Sequence, residues 1–264
     1  MAFHIAVAGK GGTGKTTLAA LIIRVLVDSG KKPILAVDAD ANANLNEALG
    51  LEVEGTVSGL LNELREQRSL PAGMSKDAYI EYRLNAVMAE GESVDLLTMG
   101  GPEGPGCYCF PNDVLKRYVD RLAEGYRYLV MDNEAGLEHL SRRVAQNIDV
   151  LLVTSDATVR GVRSAGRVKS LVEAMETSVG RTGLVLTRAG AKEVERLADE
   201  IERTGLPLAG TIPSDSMVSE YDIEGQALFG LPMESCALVA VRELVEGWLQ
   251  SSSSGRKGAK NDGG

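Results

Sequence analysis

The segment GKGGTGKTT, Gly9 to Thr17, directly follows a short apolar run, His4–Ala8, and opens an amphipathic stretch, Thr16–Ser29. It satisfies the spacing G-x-x-x-x-G-K-[ST] from Gly9 through Gly14 to Lys15 and Thr16. Such a loop works only between a strand and a helix. The glycines let the backbone turn its N–H groups towards phosphate oxygens, and the helix adds the positive end of its dipole. Gly9, Lys10, Gly11, Gly12, Thr13, Gly14, Lys15, Thr16 and Thr17 are therefore the candidate phosphate cradle. Within it Lys15 is expected to reach the β- and γ-phosphates, and the Thr16 hydroxyl to ligate Mg²⁺.

The rest of the chain repeats the strand–helix alternation. Apolar runs at Pro33–Val37, Tyr128–Met131, Val150–Thr154, Gly183–Thr187 and Leu208–Ile212 read as strands buried on both faces. Amphipathic stretches at Asp113–Glu124, Val159–Glu176, Lys192–Thr204 and Ala237–Gln250 read as helices. The expected fold is α/β, a mostly parallel central sheet flanked by helices in a single domain over residues 1–250. Residues 51–92 carry mixed signals and are expected to form an insertion of short helices with an edge strand. Residues 251–264, SSSSGRKGAKNDGG, are expected to be disordered.

Charge and composition exclude several classes. A balance of 28 basic against 37 acidic residues, net −9, opposes sequence-independent binding to DNA or an anionic membrane. No apolar run approaches bilayer length, and the N-terminal residues lack the pattern of a secretory signal. Three cysteines form no disulfide framework in a chain this long, which points to a reducing cytoplasm.

Lys10 extends the loop to G-K-G-G-x-G-K-[ST], and in this the sequence resembles the MinD-like dimeric ATPases. Nitrogenase iron protein, arsenite-pump ATPases, ParA partition proteins and nickel-insertion ATPases belong to that group. The resemblance implies a homodimer in which Lys10 crosses to the partner's nucleotide and stabilises charge during phosphoryl transfer. It also implies roles for carboxylates that follow in the expected order. Asp38 and Asp40 stand just past the second strand in AVDADANANL, and Asp132 ends a strand in YLVMDNEAG. Asp40 would position the attacking water; Asp38 and Asp132 would be direct or indirect partners of Mg²⁺, with Glu134 in a switch segment. Relatives read adenine with an asparagine followed by a basic residue, where this chain has Thr187 and Arg188. Pro213 and Asp215 match a loop that borders the base. Ala41 stands where many relatives carry proline.

Two of the three cysteines fall in GCYCFPN, as Cys107 and Cys109. In extended backbone, residues two apart point the same way, so both sulfurs can face one surface. Two such thiolates repel, and a bound cation makes the pair ionise. A disulfide across a single residue is cramped; two packed, inert cysteines are the other reading. The order of deviant P-loop, Cys-x-Cys and DNEAGLEHLSRR resembles the CooC ATPases that mature the nickel site of carbon monoxide dehydrogenase. The resemblance implies that a second copy supplies the other two thiolates at a two-fold interface. Ni²⁺ and Zn²⁺ both suit four thiolates, as does an iron–sulfur cluster. The expected function is thus a dimeric ATPase that delivers nickel to the carbon monoxide dehydrogenase apo-enzyme, with no nucleic acid or membrane partner. The alternatives are a MinD/ParA-type positioning ATPase, and a maturation ATPase for acetyl-CoA synthase or an iron–sulfur carrier. Cys236, His4 and His139 earn no role in the reaction.

Overall fold

The protein was analysed as a computed structural model that describes residues 2–66, 71, 73–101, 118–133, 147–174 and 178–255. Its centre is a seven-stranded sheet of β1 (Phe3–Gly9), β2 (Ile34–Ala39), β3 (Val94–Thr98), β4 (Tyr128–Asn133), β5 (Asn147–Asp156), β6 (Ser178–Thr187) and β7 (Leu208–Ile212). The order is β3-β2-β4-β1-β5-β6-β7, and every pairing between named strands is parallel. The six apolar runs all lie in this sheet. Buried on both faces, such strands need no polar alternation. The seventh, β3, follows the 51–92 segment and occupies one edge. Asp95 interrupts its apolar run and is held by Tyr126, whose hydroxyl donates to Asp95 Oδ2 at 2.5 Å.

Helices cover both faces. On one side lie α1 (Lys15–Asp28), α2 (Leu45–Leu49) and α8 (Cys236–Gly255), with a 3₁₀ turn at Leu228–Gly230. On the other lie α3 (Val57–Glu66), α4 (Lys76–Ala86), a helical stretch at 118–123, α5 (Val159–Ala174) and α6 (Ala191–Thr204). Helix α1 is apolar nearly all round because α8, α2 and the 3₁₀ turn pack against it as well as the sheet. Its buried side chains run from Leu18 to Leu26 with one interruption, Arg24.

Three expectations need correction. Helix α7 (Ser216–Glu224) and the short α2 were not foreseen, and α7 buries none of its residues, so it has no periodic apolar stripe to read. The last helix begins at Cys236 and continues to Gly255, past the expected end at Gln250. Serine has only moderately unfavourable helix propensity, and a helix already docked on the core can run through a serine tract. Residues 51–92 do hold short helices, α3 and α4, but the edge strand falls just beyond, at β3.

Candidate active site

The phosphate loop joins β1 to α1 at the C-terminal edge of the sheet. Strand β1 is flanked by β4 on one side and β5 on the other, and successive connections diverge from it. Gly9 has φ +152°, and a Cβ there would lie 2.4 Å from Thr154 Oγ1 and 2.6 Å from Thr154 O. Gly12 and Gly14 have φ +75° and +76°. Gly14 is the residue before α1 and brings no capping side chain, which leaves the first-turn N–H groups to a ligand. Lys15 is buried at the start of the helix, and Lys10 is exposed on the loop.

Side chains of the loop itself and of β5 and β6 grip its carbonyls. Thr13 Oγ1 donates to Lys10 O at 2.6 Å. With that proton used, Thr154 must supply the one between Thr154 Oγ1 and Thr13 Oγ1, 2.7 Å apart, while also lying 3.2 Å from Ala8 O. Thr187 Oγ1 donates to Thr13 O at 3.0 Å and Ser155 O at 3.2 Å. Arg188 Nη2 donates to Gly12 O at 2.9 Å, from a backbone with φ +53°.

Beside α1 stands a row of carboxylates in register. Asp38 on β2 is level with Asp132 on β4, so in a parallel sheet both project to the α1 face. Thr16 Oγ1 donates to Asp132 Oδ2 at 2.6 Å, and the buried Asp132 Oδ1 has no partner. Burial chiefly lifts the Asp132 carboxyl to about 7; the Thr16 hydrogen bond and Lys15 oppose this, and the charges of Asp38 and Asp40 add to it. Asp38 is fully buried, and burial raises it too, against two backbone hydrogen bonds. Those bonds close the following loop: Asp40 N–H donates to Asp38 Oδ1 at 3.0 Å and Leu45 N–H to Oδ2 at 2.9 Å. Asp40 sits partly exposed on that loop, its Oδ1 accepting from Asn42 N–H at 2.9 Å.

The residues expected around the base are placed differently from one another. Thr187 is spent on the loop and Ser155, as above. Pro213 is partly buried, while Asp215 is the N-cap of α7 and also accepts from Ala237 N–H of α8. A cleft of about 640 Å³ starts at Thr16 and Thr17 and runs between α2 and the Tyr221–Leu228 segment. Sequence reasoning missed this cleft and also Thr154, which carries no motif. Glu134, Cys107 and Cys109 lie outside the described residues. Among the described residues no group of three or more His, Cys, Asp or Glu side chains could hold a metal ion, and no helix is long and apolar enough to cross a membrane.

A parallel sheet with this loop, an uncapped α1 and two strand-end aspartates defines a P-loop nucleoside triphosphatase. Residues 4–229 match the CobQ/CobB/MinD/ParA nucleotide binding domain, and the chain belongs to that family; it is an ATP hydrolase of the MinD/ParA kind. An uncharacterized ATP-binding protein of Methanocaldococcus jannaschii is 41% identical over 245 residues, covering 92% of this chain and 96% of that one. The carbon monoxide dehydrogenase accessory protein CooC of Rhodospirillum rubrum is 27% identical over 241 residues, covering 86% of this chain and 89% of its own length. The septum site-determining protein MinD of Pyrococcus horikoshii, solved with Mg-ADP, shares the fold at TM-score 0.68 and 22% identity, covering 96% of this chain and 98% of that one.

Proposed function

We propose that this ATPase is a homodimeric, cytoplasmic metal-delivery factor that inserts nickel into carbon monoxide dehydrogenase. What carries the reading is the Cys107–Cys109 pair in a chain whose phosphate loop carries Lys10 after its first glycine and whose relatives include a CooC protein. In this proposal the pair and its copy in a second subunit bind one Ni²⁺, with Zn²⁺ as the competing ion. ATP is the substrate that brings the two subunits together, and hydrolysis releases the ion.

The site residues fit these tasks. Thr16 and Asp132 are hard oxygen donors, and the orphaned Asp132 Oδ1 has unused acceptor capacity beside the phosphate loop, as Mg²⁺ requires. When bound, Mg²⁺ neutralises charge on the β- and γ-phosphate oxygens. Lys15 contributes the same from the protein side, Lys10 reaches the partner's nucleotide, and Asp40 orients the attacking water. The nucleoside extends from Thr17 into the cleft bordered by Tyr221 and Gln226.

Nickel titration of the full chain under anaerobic conditions tests this, with ADP and with a non-hydrolysable ATP analogue, alongside mass in solution. The expected result is one ion per dimer with affinity dependent on nucleotide. Unchanged stoichiometry in Cys107→Ala/Cys109→Ala refutes the metal site. A positioning role like that of the septum proteins is the second reading. Leu238, Val241, Leu244 and Val245 of α8 are buried on the core, which leaves that helix without a lipid-facing apolar stripe in this stretch. ATP-dependent sedimentation with anionic vesicles would favour that second reading.

A further inference from the structure

We infer that Thr187 and Thr154 are positioning residues that aim the phosphate loop, and that Thr187 takes no part in reading the nucleotide base. Thr187 ends β6, where a base-reading residue is expected, yet its hydroxyl is buried and has one proton to give. That proton is shared between Thr13 O at 3.0 Å and Ser155 O at 3.2 Å. Its methyl group faces Gly14, 3.7 Å from where a Cβ would stand. Both functional ends of the side chain are therefore turned to the protein.

The consequence for the loop follows from peptide geometry. In a trans peptide the C=O of one residue and the N–H of the next point in opposite directions. Thr187 draws the Thr13 carbonyl towards β6, so the Gly14 N–H faces away from β6. Thr13 Oγ1, buried against Thr154, holds the Lys10 carbonyl at 2.6 Å, so the Gly11 N–H faces away from Thr13. Thr154, donating to Thr13 Oγ1 at 2.7 Å, fixes the rotamer that makes this second bond possible. Its approach is close enough that a Cβ at residue 9 would force it or the loop to shift. Two strand ends, β5 and β6, thereby set which way the loop's amides point. Phosphate, common to every nucleotide, is the group they act on.

This reading makes a prediction that a base-reading residue would not satisfy. Binding of ADP, GDP and inorganic tripolyphosphate to the full chain in Mg²⁺ buffer is measured by calorimetry for wild type, Thr187→Val and Thr187→Ser. In Thr187→Val all three ligands are expected to weaken together, by about tenfold, which is the order of one buried hydrogen bond. The ADP-to-GDP affinity ratio stays at its wild-type value, and Thr187→Ser restores all three affinities. A role confined to stability would lower the melting temperature and leave the affinities of the folded protein unchanged, which overturns the inference. A changed ADP-to-GDP ratio overturns it equally. Thr154→Val and Thr154→Ser repeat the test from β5, so that it does not depend on Thr187→Val folding, with the same uniform loss and the same rescue expected.

Discussion

Asp215 offers a sharp test of how the turn between β7 and α7 is held. Its Oδ1 accepts from Met217 N–H at 2.9 Å, and its Oδ2 from Ser235 Oγ at 2.7 Å, Ala237 N–H at 3.0 Å and the Cys236 thiol at 3.3 Å. One carboxylate thus caps α7 and the first turn of α8. Replacing it with alanine removes an N-cap, about 1 kcal/mol, and strips the buried Ser235 hydroxyl and the Ala237 N–H of their acceptor, about 1–2 kcal/mol more. Because Asp215 is only partly buried, water recovers part of this, leaving a net loss of about 2 kcal/mol. For a chain of this size that lowers the melting temperature by about 4–8 °C. Asp215→Asn keeps one acceptor oxygen but turns an amide towards two donors, so it should fall between alanine and wild type. The pH dependence has a definite sign. Burial pushes this carboxyl up, but the hydrogen bonds from Ala237, Ser235, Cys236 and Met217 outweigh it and hold the group at about 2, below its ordinary value of 3.8. Its contribution is therefore complete above about pH 4 and fades as pH falls towards 2. Thermal unfolding of the three proteins at pH 7, 4 and 2.5 measures both effects. A shift of less than about 1 °C for Asp215→Ala at pH 7 refutes the capping argument. Weaker ADP binding with unchanged melting would show that the carboxylate faces the nucleotide instead.

Further outcomes follow from neighbouring sites. Although Cys236 is exposed, its thiol is raised, first by partial desolvation of the sulfur, then by its hydrogen bond to Asp215 and that residue's charge. In a Cys107→Ser/Cys109→Ser background, Asp215→Asn should speed iodoacetamide labelling at pH 8 by roughly threefold, and an unchanged rate counts against the assignment. Gly9→Ala places a Cβ 2.4 Å from Thr154 Oγ1 and 2.6 Å from its carbonyl oxygen, so stability should fall by about 1–3 kcal/mol in urea titration. Lys15→Ala should reduce ATP turnover by about 100-fold or more while leaving the far-ultraviolet circular dichroism unchanged.

Local chemistry was legible in the sequence, and contacts between distant segments were not. The loop Gly9–Thr17, Asp38 and Asp132 announce themselves because strand, glycines and carboxylates adjoin one another in the chain. The hydrogen bond between Thr16 and Asp132 spans 116 positions, yet both ends were identifiable from their own motifs. Thr154 lies 141 positions from Thr13 and ends an ordinary apolar strand, so nothing nearby marks it. Thr187 and Asp215 were found as positions, but their side chains turn towards Thr13 O and towards two helix starts. Sequence order fixes where such residues stand along a strand or turn; which partner takes their one proton or two oxygens depends on packing. Strand β3 was blurred because Asp95 interrupts its apolar run, and its partner Tyr126 lies 31 positions away.

The burial of α1 on nearly every side has a kinetic meaning. A helix wedged between sheet, α8, α2 and the 3₁₀ turn has little room to translate or tilt, so its amino-terminal dipole is already oriented when a triphosphate arrives. Reorganisation that a solvent-facing helix would undergo at each turnover is completed once, as the chain folds. What remains free to respond to the ligand is the periphery, as in the stretch closed by Asp38 between Asp40 and Leu45.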